Sequence, residues 1–148
     1  RLLRALCVKL LLGVATGDAL QTVLRGKIYD HTLLPTPADG GPVVVNATIL
    51  FQEIWGVVST AKTYNVDLYL GESWSDPGLA WDPAQHGGLT QLMLTQEEDM
   101  KRIWLPDTFW YHMNYYIKRK HMMGSLRLLP SGELRHSRQV ILNMRCYM

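Results

Sequence analysis

From Val43 the chain alternates apolar and polar positions with a period of two: Val43, Val45, Ala47, Ile49 and Phe51 fall on one face, and Asn46, Thr48 and Gln52 on the other. That pattern predicts a half-buried β-strand. The apolar phase slips near Glu53, after which Ile54 and Trp55 continue it, so a bulge or bend is expected there. A second strand follows, with Val66, Leu68, Leu70 and Trp74 on one face and Asn65, Asp67, Gly71 and Ser73 on the other. Tyr69 stands alone as an aromatic in the polar row. Such a residue is either part of a binding surface or a cross-strand packing partner, and alternation alone leaves both readings open.

Towards the end, "GSLRLLPSGELRHSRQVIL" reads as two strands joined by Pro130, Ser131, Gly132 and Glu133, with proline early and glycine late as a type I turn prefers. In its return strand Arg135, Ser137 and Gln139 share one face, while Val140, Leu142, Met144 and Cys146 are expected to supply the core. "GDALQTVLRGKIYD" predicts a short helix, with Asp18 near its start and Gly26 near its stop. "HTLLPTPADGGPV" and "SDPGLAWDPAQHGG" carry the prolines and glycines of loops. Pro106 keeps "IWLPDTFWYHM" out of a helix interior. Several short strands between turn signals predict an all-β fold: an immunoglobulin-like antiparallel β-sandwich with a short N-terminal helix.

The 148 residues, 47% hydrophobic, suit one domain with a real core. A formal net charge of +2 with mixed signs offers no basic face, so nucleic acid is not an expected partner. The first stretch, residues 1–17, has basic Arg1, Arg4 and Lys9, an apolar run, then small residues. It predicts an incomplete secretory signal peptide, leaving residues 18–148 as the domain; an amphipathic or buried helix is the alternative. Opening on Arg1 and stopping at Met148 in mid-pattern predicts a piece of a longer protein. No other segment approaches the roughly 20 apolar residues of a membrane span. Cys7 falls within the signal-like stretch, so a processed chain keeps Cys146, whose disulfide partner is expected beyond Met148. Asn46-Ala47-Thr48 is a glycosylation sequon, in keeping with secretion.

Catalytic signatures are missing. There is no phosphate loop, nucleophile elbow, C-x-x-C or H-E-x-x-H, and His31, His86, His112, His121 and His136 lack ligand spacing. Asp67, Glu72, Asp76 and Asp107 are not paired by their setting. Neither an enzyme, nor a metal site, nor a cofactor is expected.

Three motifs in order, "ESWSDPGLAW" after a strand, then "IWLPDTF", then "GSLRLLPSGELRHSRQVILNMRC", resemble the extracellular ligand-binding domain of the Cys-loop receptors, the pentameric neurotransmitter-gated ion channels. The resemblance covers about Asp18 to Met148. It implies a β-sandwich with a leading helix, a homo- or hetero-pentamer of subunits, a small-molecule neurotransmitter held between neighbours in an aromatic cage, and membrane attachment through the region beyond Met148. The implied location is the extracellular side of the plasma membrane, as at a synapse. Tyr69, five before Trp74, matches the complementary-face aromatic. Phe109 and Tyr111 match the two positions from which family members supply a principal-face aromatic. Ser137, nine before Cys146, matches a hydroxyl that contacts a ligand carboxylate in amino-acid-gated members. Trp74, Trp104, Pro106 and Asp107 match the structural motif, with Trp104 and Trp110 expected to pack as core.

One position departs: amino-acid-gated members usually carry an arginine three residues before Trp74, and here it is Gly71. "PDTF" and the serine-arginine run of the hairpin resemble the chloride-conducting, GABA- and glycine-receptor-like branch. A cation-conducting member and a secreted soluble pentamer of the same fold are the alternatives.

Overall fold

The computed structural model describes residues 16–37, 39–117 and 124–146. The signal-like stretch lies outside these residues up to position 15, as do His121 and Cys7.

Helix α1 (Thr16–Leu24) puts Leu20 and Val23 fully inside, three apart, with Ala19 and Leu24 half-buried beside them. That spacing gives one apolar stripe, which packs against strand β3 (Leu92–Leu94). Gly26, at φ +77°, turns the chain away after the helix.

Among the described residues six antiparallel strands form one hydrogen-bonded network: β1 (Asn46–Val58), β2 (Thr63–Ser75), β3, β4 (Met113–Tyr116), β5 (Ser125–Leu128) and β6 (Glu133–Arg145). The order is β1-β2-β6-β5-β3, with β4 also paired to β6. The fold is all-β with a leading helix, as the alternation predicts. The expected bulge is present: the β1–β2 register slips between Phe51 and Glu53. The expected hairpin turn is present too, with Gly132 N donating to Leu129 O at 2.9 Å and Gly132 at φ +83°. This is a type I turn followed by a left-handed residue.

Three expectations need correction. β1 begins at Asn46 rather than Val43, because Val43 and Val45 pack loosely on the core before strand pairing starts. Nor is β1 half-buried: Ile49, Phe51 and Ile54 are exposed, because β1 pairs with β2 and no other described element packs substantially over it. Cys146 follows the last strand and is exposed rather than in the core; its N–H donates to Lys62 O. In its place Ile141 is fully buried on the opposite face.

Pairing β2 with β6 sets Trp74 opposite Leu134, Glu72 opposite His136, Leu70 opposite Arg138, Leu68 opposite Val140 and Val66 opposite Leu142. These alternate residues share one face. A polar band of Glu72, His136 and Arg138 therefore crosses it. On one side lies the larger apolar cluster, with Trp74, Leu134, Leu126 and the helix; on the other lie Val66, Leu68, Leu70, Val140 and Leu142.

Candidate functional site

The opposite face of the sheet is built from short polar rows. Register sets Thr48, Gly71, Ser137 and Ser125 in one line across four strands. The next line is Asn46, Ser73, Arg135 and Arg127, and on the other flank Leu50, Tyr69 and Gln139. Neighbouring lines on one face stand about 7 Å apart, two strand residues. Tyr69 and Ser137 are thus diagonal neighbours on the same face, within reach of one small ligand. Tyr69 is 43% exposed. Gly71 leaves the floor beside Ser137 flat, and a cavity of about 350 Å³ opens over it between Thr48, Ser73, Arg135 and Ser137, without Tyr69 in its wall. Arg135 holds Glu133 at 2.7 Å, and Arg127 faces Arg135 directly across the strands. Like charges so placed repel, which favours an anion between them. Beyond Tyr69, Asp67 is buried and accepts two bonds from Gln139 Nε2, each 2.8 Å.

The loop from Ile103 to His112 crosses the other, core-facing side. Ile103 is buried, and Trp104 meets Trp74 edge to face with ring centres 6.0 Å apart. Trp104 N donates to Tyr29 Oη at 3.1 Å, and Tyr29 donates in turn to Asp76 Oδ2 at 2.8 Å. Burial and the Asp76 carboxylate push the Tyr29 phenol well above its ordinary value, more than the amide of Trp104 lowers it. Further on, Thr108 donates to Glu72 Oε1, and Trp110 packs on the second apolar cluster. Between them and after them, Phe109 and Tyr111 project outward, 75% and 76% exposed. Tyr111 stacks edge to face on His112, whose φ is +67°. A cavity of about 320 Å³ lies beneath, between Pro106, Asp107, Thr108 and Trp110 on the loop and Tyr116, Arg138 and Gln139 on the strands.

Residues 17–148 match the family model of the neurotransmitter-gated ion-channel ligand binding domain. The chain belongs to this family. It is 28% identical over 133 residues to a glutamate-gated chloride channel of Drosophila melanogaster, covering 87% of this chain and 28% of that protein. To the gamma-aminobutyric acid receptor subunit rho-2 of Bos taurus it is 27% identical over 135 residues, 86% of this chain and 27% of the relative. An acetylcholine receptor subunit beta of Rattus norvegicus is 29% identical over 93 residues, 63% of this chain and 17% of the relative. The chain spans about a quarter of the length of the first two relatives. A receptor-channel family, not an enzyme family, is its home.

Within this ligand-binding domain the sequence-derived residues fall into two groups. Tyr69 and Ser137 come together on one face of the sheet, and Phe109 and Tyr111 on a loop over the other. Trp74 and Trp104 pack on each other, while Pro106 and Asp107 line the cavity under the loop and Asp107 is exposed. Asn46 is exposed at the first residue of β1. Reasoning on the sequence missed Tyr29, Asp76 and Glu72, which hold the loop. Glu72 carried a readable signal: a charge inside the apolar row Val66, Leu68, Leu70, Trp74. Among the described residues no cluster of three or more His, Cys, Asp or Glu is set to hold a metal, and no helix is long and apolar enough to cross a membrane.

Proposed function

We propose that this chain is the extracellular ligand-binding portion of a subunit of a pentameric, chloride-conducting neurotransmitter-gated channel, and that its ligand is a small amino acid bound between neighbouring subunits. The observation that carries this reading is the separation of the four candidate residues onto opposite sides of one sheet. A single copy cannot close a cage from Phe109 and Tyr111 on one side and Tyr69 and Ser137 on the other. Two neighbours can, one offering the loop and the other the polar face. Each aromatic ring facing an ammonium contributes about 0.5 to 2 kcal/mol. Arg135 and Arg127, one line away from Ser137, supply the positive charge that Gly71 does not, so the ligand carries a carboxylate as well as an amine.

Ligand closure across the interface then biases a shut-to-open equilibrium in the membrane part of the protein. The chloride branch is favoured by relatives named for glutamate and gamma-aminobutyric acid, which match more of this chain than the acetylcholine relative. The same reading puts Cys146 in a disulfide with a cysteine later in the polypeptide, a glycan on Asn46, and the domain outside the plasma membrane.

Expression of the full-length subunit in oocytes, with concentration–response curves for glutamate and gamma-aminobutyrate, tests the reading. Tyr69→Ala, Phe109→Ala, Tyr111→Ala and Ser137→Ala are expected to raise the half-maximal concentration, by about tenfold for each contact worth 1.4 kcal/mol. A reversal potential that follows external chloride is expected. A response indifferent to all four substitutions would refute the site, and currents carried by cations would refute the branch.

A further inference from the structure

Three ionisable side chains on the core side of the sheet border the two cavities but are not among the proposed ligand contacts. Glu72, from β2, has a side chain 1% exposed. From β6, Arg138 Nη2 reaches its Oε2 at 3.3 Å, and His136 Nδ1 lies 3.4 Å from the same oxygen. Gly124 roofs the His136 ring: a Cβ there would stand 3.2 Å from Nε2. Lys101 and Glu97 line the neighbouring cavity with His136 and Arg138, but they pair with each other at 3.1 Å. Glu72 Oε2 and His136 Nδ1 make no hydrogen bond, so these are charge contacts; burial pushes the Glu72 carboxyl up, and the close His136, the Thr108 hydroxyl and the Arg138 charge more than reverse it, holding it below the usual carboxylate range.

A buried carboxylate costs several kcal/mol in desolvation unless partnered, so a site that keeps one without a structural need for it is disfavoured. Here the carboxylate has one partner outside the sheet. Its second oxygen, Oε1, accepts the hydroxyl of Thr108, the residue immediately before Phe109. The loop is tied at its start by Trp104 N to Tyr29 and at its end by Met113 N to Trp110 O and Arg145 N to His112 O. Thr108 to Glu72 ties it between these points. Trp110 adds packing on the second apolar cluster, but Phe109 and Tyr111 themselves are exposed, and Thr108 to Glu72 is the directional tie beside them.

We propose that Glu72 is a positioning residue for ligand binding: braced by Arg138 and His136, it grips Thr108 and fixes Phe109 and Tyr111 relative to the sheet whose far face carries Tyr69 and Ser137. The assignment rests on the reading of Phe109 and Tyr111 as ligand contacts. It accounts for a charged triad inside an otherwise apolar face, and it makes Thr108 act through its hydroxyl rather than its methyl.

The test uses the full-length receptor with two readouts: the mobility of a nitroxide attached at Phe109→Cys, measured without agonist by electron paramagnetic resonance, and the half-maximal concentration of glutamate or gamma-aminobutyrate. Thr108→Val and Glu72→Gln are each expected to loosen the label and raise the half-maximal concentration about tenfold, the size of one lost bond to a charged group. Thr108→Ser keeps the hydroxyl and is expected to stay near wild type on both readouts. The double variant is expected to be no worse than the more affected single one. A label as immobile in Thr108→Val as in wild type overturns the proposal, as does a double variant whose shift is the sum of the two singles. Should Glu72→Gln fail to reach the surface, Thr108→Val against Thr108→Ser decides alone. If Phe109→Ala shifts the response and Thr108→Val does not, positioning fails while the ligand site stands. If the label loosens but Phe109→Ala and Tyr111→Ala are silent, the loop is positioned and the ligand reading fails.

Discussion

Gly132 gives the sharpest stability prediction, because two separate costs act there and a second glycine isolates one of them. At φ +83° an alanine enters the left-handed region, at a cost of about 1–2 kcal/mol. Its Cβ would also stand 2.4 Å from Asp76 O and 3.1 Å from Asp76 C, backbone atoms that cannot swing aside. Relief requires the turn to move off the 76–80 segment, at the expense of the bonds from Asp76 N to Gly132 O at 2.8 Å and from Trp81 N to Pro130 O at 2.9 Å. Two such bonds are worth about 0.5–1.5 kcal/mol each, so Gly132→Ala is expected to cost about 2–5 kcal/mol in all. Gly87 has φ +64° and nothing within 4 Å of the place a methyl group would take, so Gly87→Ala bears the backbone cost alone. Thermal unfolding of the purified receptor, followed by tryptophan fluorescence, should place Gly132→Ala several degrees below Gly87→Ala. Equal midpoints for the two variants would refute the close-approach reasoning.

Three further outcomes follow from the site. Tyr29→Phe removes the hydroxyl that joins Asp76 to Trp104 N, and it is expected to cost about 1–3 kcal/mol in the same assay. Because the folded phenol titrates above its unfolded value, Tyr29 adds stability below pH about 10 that is lost as the pH rises beyond it; Tyr29→Phe should flatten that alkaline slope. Gly71→Arg is accommodated, since a Cβ there meets Thr48 at 3.8 Å, and the added guanidinium beside Tyr69 and Ser137 should lower the half-maximal concentration of a carboxylate agonist about tenfold. Acidification should weaken the wild-type domain as the pH falls through the lowered Glu72 value, where Glu72 protonates, and hydrogen-exchange protection of the described strands in Glu72→Gln should lack that part of the fall.

The strands with long, strict alternation were legible, and so were the positions they set: β2, β6, the bulge after Phe51 and the outward Tyr69 all follow from a period of two. The strands β3 and β4, of three and four residues, have too few positions to show any period. Burial was read less well than pairing. Alternation tells which residues share a face but not whether another element covers it, and so Ile49 and Phe51 on the edge strand were expected inside and lie outside. Cys146 failed for a related reason: its parity matched the core row, but the strand ends at Arg145. The loop anchors were illegible because each joins residues far apart in sequence, as with Tyr29 and Trp104, and no local pattern marks such a pair.

Glu72 shows how one strand can serve both sides of a sheet. Its neighbours Gly71 and Ser73 floor the polar face, while its own carboxylate passes through to the opposite side and meets the residue before Phe109. A period of two forces this arrangement: the odd positions of β2 lie on the polar face, so its even positions must point to the opposite one, which here is the covered side. Most of those even positions, Leu68, Leu70 and Trp74, contribute apolar packing, which holds the sheet together but has no preferred direction. The carboxylate does have one. A hydrogen bond from a single loop hydroxyl fixes position along the strand as well as distance from it, and under the proposed two-subunit site that alignment would set whether the aromatic loop of one subunit meets the polar rows of the next.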